Sequence, residues 1–139
     1  MPLSHTQKLA IYRSLPKIVL HQREFGEYFY KRIFEEMPAA RAMFKSAVPI
    51  QHQRFTQTLI VSINALDNPE RFNKIVVDIA QKHTHHHLQY QHYEVLGVDF
   101  IDAIAVTLGD EFTEIMREAW TALYQSIITT MVEVASQSN

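Results

Sequence analysis

From Leu9 to Met131 apolar residues return every three to four positions, and no stretch alternates with period two for long enough to suggest a strand. That spacing lays one apolar stripe along each of a series of helices, which limits the chain to an all-α fold. Only three glycines and five prolines occur in 139 residues, so the breaks can be read position by position. Ser4 with Gln7 three residues on makes a capping-box pattern, and Leu9, Tyr12, Leu15 and Val19 then share one face of a first helix. Pro16 is expected to kink that helix or end it early. A second helix is expected after Gly26, with Phe25, Phe29, Ile33 and Phe34 as its stripe. It should stop at Met37-Pro38, because the residue before proline disfavours the helical region.

The segment AARAMF reads as a short helical turn leading into a loop marked by Pro49. Phe55, Leu59, Ile63 and Leu66 then repeat at helical spacing. Asn68 is the expected cap of the next helix, with Pro69 at its first position and Phe72, Val76, Ile79 and His83 along one face. Leu96, Phe100, Ile104 and Leu108 form a further helix closed by Gly109. Thr113 is placed to cap a final one carrying Met116, Trp120, Leu123, Ile127 and Met131. The expectation is one all-α domain over residues 1–139 with roughly six to eight helices.

Composition removes several functions. A net charge of -2, from thirteen basic and fifteen acidic residues, gives no electrostatic footprint for nucleic acid or an anionic membrane. With no cysteine, disulfides and thiolate metal sites are excluded. The N-terminal MPLSHTQKLA lacks an apolar stretch of signal-peptide length, and eighteen apolar residues never run together. A cytoplasmic location is therefore expected.

Five of the eight histidines fall in IAQKHTHHHLQYQHY. On a helix, positions 83 and 87 share a face while 85 and 86 point elsewhere, so the run cannot converge on one ion without leaving the helix. Zinc wants three or four protein ligands, and a helical pair supplies two. No HExxH occurs, and no carboxylate stands at metal-ligand spacing. His85, His86 and His87 read as polar residues where a helix gives way to a loop; His83 differs because it continues an apolar face.

The order and spacing of EYFYKRIFEEMP, AMF, IAQKHT, HYEVLGVDFIDAI, TLGDEFT and EAWTALY resemble the globin family. The likeness is to single-domain bacterial haemoglobins and the globin domain of flavohaemoglobins, and it runs from about residue 5 to about residue 134. It implies a globin fold around a haem pocket, with haem b (iron protoporphyrin IX) as cofactor. His83 falls where the family places the proximal iron ligand, and Tyr93 matches the tyrosine that packs beside that ligand. Phe44 resembles the phenylalanine wedged against the haem face, and Tyr30 matches a distal-pocket tyrosine. Gln51 resembles the distal glutamine when the corner loop is short; Gln53 takes that place if the loop follows the longer form. Arg54 falls where a basic residue often meets a haem propionate, and Phe55 where an apolar residue, more often leucine, covers the ligand.

A distal Tyr/Gln pair implies tight, reversible binding of dioxygen, with carbon monoxide and nitric oxide as alternative ligands, in a monomer or weak homodimer. Two departures bear on activity. The family's proximal carboxylate, fifteen residues after the tryptophan, would fall at Ala135, with Glu133 the nearest acid. The chain also stops at 139 without a flavin or nicotinamide fold, so turnover is expected to draw electrons from a separate reductase. Oxygen binding, storage or delivery is the first expectation. A nitric oxide dioxygenase active in nitric oxide detoxification is the second, and a gas sensor acting through a partner the third.

Overall fold

The computed structural model describes residues 3–38, 48–83 and 90–137, with backbone alone at 48–53, 83 and 90. Among the described residues six α-helices follow one another: α1 (His5–Leu20), α2 (Gln22–Glu36), α3 (Val48–Asn64), α4 (Pro69–His83), α5 (Tyr90–Leu108) and α6 (Glu114–Gln137), with a 3₁₀ turn at Gly109–Glu111. No strand occurs among the described residues. The expected all-α class is the observed one.

Local chemistry fixes most of the boundaries. The Ser4 hydroxyl accepts from the Gln7 N–H at 3.1 Å while Gln7 Oε1 accepts from the Ser4 N–H at 2.9 Å, closing a capping box. Asn68 Oδ1 accepts from the Arg71 N–H at 3.1 Å ahead of Pro69. Thr113 Oγ1 accepts from the Met116 N–H at 3.2 Å. Gly109 takes a φ of 57°, the left-handed turn that ends α5 and that a side chain would disfavour.

Three expectations need correcting. Pro16 lies inside α1, which runs on to Leu20, so it does not end the helix early. The break falls at His21, a single non-helical residue, where the Gln22 side chain donates to the Val19 carbonyl at 3.2 Å. Gly26 is inside α2 rather than before it, and is buried there. On α1 Ala10, Ile11, Ser14 and Ile18 are buried, with Tyr12 and Leu15 of the expected stripe partly buried against the same core, while Leu9 is 37% exposed. The buried face thus takes in a serine that the apolar letters alone did not mark. The turn expected at AARAMF lies outside the described residues.

Helix α6 packs on α1, α4 and α5, and α2 packs on α3 and α5. Between them lies an aromatic core. Phe55 stacks on Phe29 at 4.9 Å and on Phe25 at 5.7 Å, and Phe100 meets the Trp120 ring edge-on at 5.8 Å. A smaller cluster of Ala80, Tyr93, Ile128 and Met131 joins α4 and α5 to the far part of α6.

Candidate functional site

Tyr30 is buried on α2, one residue beyond Phe29. Its ring lies 5.4 Å from Phe29 and 6.1 Å from Phe55, both edge-on, and 6.0 Å from Phe34. Burial pushes its phenol up to about 12. At neutral pH the group therefore keeps its proton and can donate a hydrogen bond. Phe55 is partly buried on the facing side of α3 and touches Phe25, Phe29, Tyr30 and Phe100. Arg54, one residue earlier, is exposed. The two positions sit on different faces, so an apolar residue turns inward while its basic neighbour meets solvent.

Helix α4 buries Val76 and Ala80. His83 is the last residue of that helix and follows Ala80 at helical spacing. Across from Ala80, Tyr93 of α5 is buried in the smaller cluster, and burial raises its pKa. The structure thus brings Tyr30 together with Phe55, and Tyr93 together with the helix that ends in His83. Gln51 and Gln53 lie in the first part of α3, their side chains outside the description; Phe44 and His85 to His87 lie outside the described residues altogether. Ala135 is partly buried and Glu133 exposed on α6.

Sequence reasoning missed the residues that brace α5 on α6. The Tyr124 hydroxyl donates to the Tyr93 carbonyl at 2.6 Å, pinning α6 to the first turn of α5. A Cβ on Gly97 would come within 2.6 Å of the Tyr124 ring, so glycine at 97 is what allows the ring so close. Both residues stand in motifs quoted above, HYEVLGVDFIDAI and EAWTALY, but nothing in either motif links one to the other. No group of three metal-ligating side chains is assembled among the described residues. None of the helices searched there is long and apolar enough to cross a membrane.

Among the described residues, a bundle of helices buries a neutral phenol among phenylalanines on α2, and α4 ends at a histidine. The globin family model matches residues 27–131, and the chain belongs to that family. Among curated proteins it is 25% identical over 135 residues to a flavohemoprotein of Halalkalibacterium halodurans, covering 95% of this chain and 33% of that protein. It spans about a third of the length of such relatives. Among solved structures, an engineered carbene transferase made from a candidate nitric oxide dioxygenase of Rhodothermus marinus superposes with a TM-score of 0.85 at 22% identity, over 98% of this chain and 95% of that one. A flavohemoglobin of Malassezia yamatoensis, with bound FAD and heme, superposes with a TM-score of 0.80 at 22% identity, over 99% of this chain and 37% of that one. These likenesses show a shared fold.

Proposed function

We propose that this chain is a haem globin that binds dioxygen reversibly and tightly. The observation that carries the reading is the buried, protonated Tyr30 beside Phe55. In this reading haem b would take its iron ligand from His83 at the end of α4 and its neutral donor from Tyr30, buried among apolar rings on α2. Haem, when bound to one histidine, supplies an iron with an open position for a diatomic gas. In this reading His83 would be its protein ligand, Phe44 and Phe55 would pack against the ring, Arg54 would meet a propionate, and Tyr93 would pack beside His83.

Tyr30 has the distinguishing role. A diatomic ligand that gains negative charge accepts its hydrogen bond, which contributes about 1.5 to 3 kcal/mol because one partner is charged. That strengthens binding roughly ten-fold to a hundred-fold over an apolar pocket. Gln51, or Gln53 if the corner loop takes the longer form, adds a weaker second donor. Carbon monoxide and nitric oxide occupy the same site, and carbon monoxide, with less charge, gains less.

A second reading, a nitric oxide dioxygenase served by a separate reductase, is favoured by the flavohemoprotein relatives. Against it, the place of the proximal carboxylate holds Ala135, and Glu133 is exposed. Rapid mixing of the oxygenated protein with nitric oxide, followed by a search for a cognate reductase, separates the two.

The test of the main reading is kinetic. Tyr30→Phe keeps the volume and removes the donor, so oxygen should dissociate roughly ten-fold faster or more, while carbon monoxide dissociation changes far less. His83→Ala should lose stable haem attachment, and the double change His85→Ala with His86→Ala should keep the Soret band. An unchanged oxygen off-rate in Tyr30→Phe would make that tyrosine core filler.

A further inference from the structure

Asp99, midway along α5, is fully buried, and no described donor hydrogen-bonds either carboxylate oxygen. A buried charge is costly unless a counter-ion meets it. Arg32 of α2 does so: its Nη2 lies 3.2 Å from Asp99 Oδ1, and its Nη1 lies 3.6 Å from Asp102 Oδ2. Asp99 and Asp102 stand three residues apart on α5 and so share a face, which lets one guanidinium span both. That guanidinium is also held from its own helix. Its Nε and Nη2 donate to Glu36 Oε1 at 3.3 and 3.1 Å, one turn ahead, and its Nη1 donates to the Tyr28 hydroxyl at 3.1 Å, one turn behind. The fork therefore cannot follow α5 freely if the helices slide. A slip of α2 by one residue, about 1.5 Å along its axis, would pull it away from Asp99 or Asp102.

Beside the ion pair, the same two helices meet through aromatic rings. Phe100, the residue after Asp99, lies 6.0 Å from Phe29 and 6.2 Å from Phe25, both edge-on, and Phe29 in turn lies 5.4 Å from Tyr30. Phe29 and Arg32 stand three residues apart and so share the face of α2 that meets α5. Tyr30 points elsewhere, toward Phe55 of α3. Any rotation or slide of α2 on α5 therefore carries the phenol with it. Apolar contact tolerates such movement because it is non-directional, whereas a guanidinium between two carboxyl groups fixes both angle and distance. The pair adds little stability: burial pushes the Asp99 carboxyl up to about 6 against the pull of Arg32, so the attraction does not repay the lost hydration. We infer that Arg32 is the positioning residue for Tyr30: its grip on Asp99 and Asp102 sets the register of α2 on α5 and with it the place of the phenol. The consequence for oxygen rests on the function proposed above; the placement of the ring does not.

Tyrosine Cζ NMR of the full chain in the ferrous carbon monoxide form, at pH 8 where the Asp99 carboxyl is ionised, tests the placement. The Tyr30 signal is assigned by its loss in Tyr30→Phe. The double change Arg32→Met with Asp99→Leu replaces the pair by apolar side chains of similar size, so the urea midpoint should not fall. The Tyr30 signal should nevertheless move or broaden, while that of Tyr12, which bonds to Asp67 away from this seam, stays in place. Arg32 is partly exposed, so Arg32→Lys, which keeps the charge and loses the fork, serves if the double variant does not fold; it should move the same signal. In both variants oxygen should dissociate roughly three-fold to ten-fold faster and carbon monoxide far less so, a split that lost stability alone would not produce. A Tyr30 signal that stays in place in both variants, or a shift that Tyr12 shares, overturns the inference. A Tyr30 signal that moves with no change in the oxygen off-rate upholds the placement and overturns the role given to the phenol in oxygen binding.

Discussion

The α1–α6 and α2–α5 seams each bury a polar side chain completely, Ser14 and Asp99, and treat it in opposite ways. In the α1–α6 seam, the Ser14 hydroxyl donates to the Ala10 carbonyl at 2.7 Å and accepts from Trp120 Nε1 at 3.0 Å. In the α2–α5 seam, Asp99 finds no donor among the described groups for either oxygen. The difference is one of chemistry rather than burial, since both residues are 0% exposed. A hydroxyl can donate and accept, so it bonds back to its own helix and still meets the indole; an ionised carboxylate only accepts. The first seam is therefore complete at any ordinary pH. The second relies instead on the ion pair of Asp99 with Arg32 at 3.2 Å.

The largest effect should come from breaking the complete seam. Trp120 is fully buried, holds the hydrogen bond to Ser14 and packs edge-on against Phe100. Trp120→Ala should cost about 3–5 kcal/mol, read as a lower urea midpoint at an unchanged slope. The loss should be the same at pH 5 and pH 8, because neither Ser14 nor Trp120 titrates between them. A strongly pH-dependent loss would erase the contrast between the seams.

The same contrast explains what could be read in the sequence. Caps and stops were legible because each depends on a few adjacent residues: Ser4 with Gln7, Asn68 before Pro69, Gly109, and Thr113 before the last helix. The apolar stripes of α5 and α6 were legible too, with Phe100, Ile104, Leu108, Met116, Trp120 and Leu123 all buried. Ser14, Thr56 and Asp99 are buried as well, and no periodicity finds them, because a polar letter on an apolar face reads as solvent. Their burial depends on a partner far along the chain, Trp120 in the case of Ser14, 106 residues away. Of the candidate site, Tyr30 and Tyr93 are buried and Phe55 is partly buried. Gly97 and Tyr124 had no local mark, since their meaning lies in each other's position.

That pair gives the next effect in size. An added methyl at 97 would meet Tyr124 Cε2 at 2.6 Å and Cδ2 at 3.0 Å. The ring is not free to retreat, being tied by its hydroxyl to Tyr93 and set 5.7 Å from Phe100. Gly97→Ala should therefore cost about 1–3 kcal/mol of overpacking, less about 1 kcal/mol regained from helix propensity. In a Tyr124→Ala background the same change should become neutral or stabilising. If Gly97→Ala costs the same with and without the ring, its effect is on the α5 backbone and not on the α5–α6 contact.

The smallest effect separates hydrogen bonding from titration on the Asp99 side of the molecule. Tyr124→Phe keeps the ring against Gly97 and Phe100 and removes only the bond to the Tyr93 carbonyl. That carbonyl lies inside α5, where a helical partner is available to it, so no acceptor is left orphaned, and the net cost should be about 0.5–1.5 kcal/mol. Because the phenol's pKa is raised by burial and by nearby Tyr93 and Asp99, it is neutral from pH 5 to 8. The loss should consequently be flat across that range in urea titrations, unlike that of Asp99→Asn. Burial raises the Asp99 carboxyl, so its replacement should stabilise the chain most at the alkaline end. A Tyr124→Phe loss that grew above pH 6 would mean that this hydroxyl also serves the ionised Asp99. The incomplete seam would then extend across α5 to α6 instead of ending at α2.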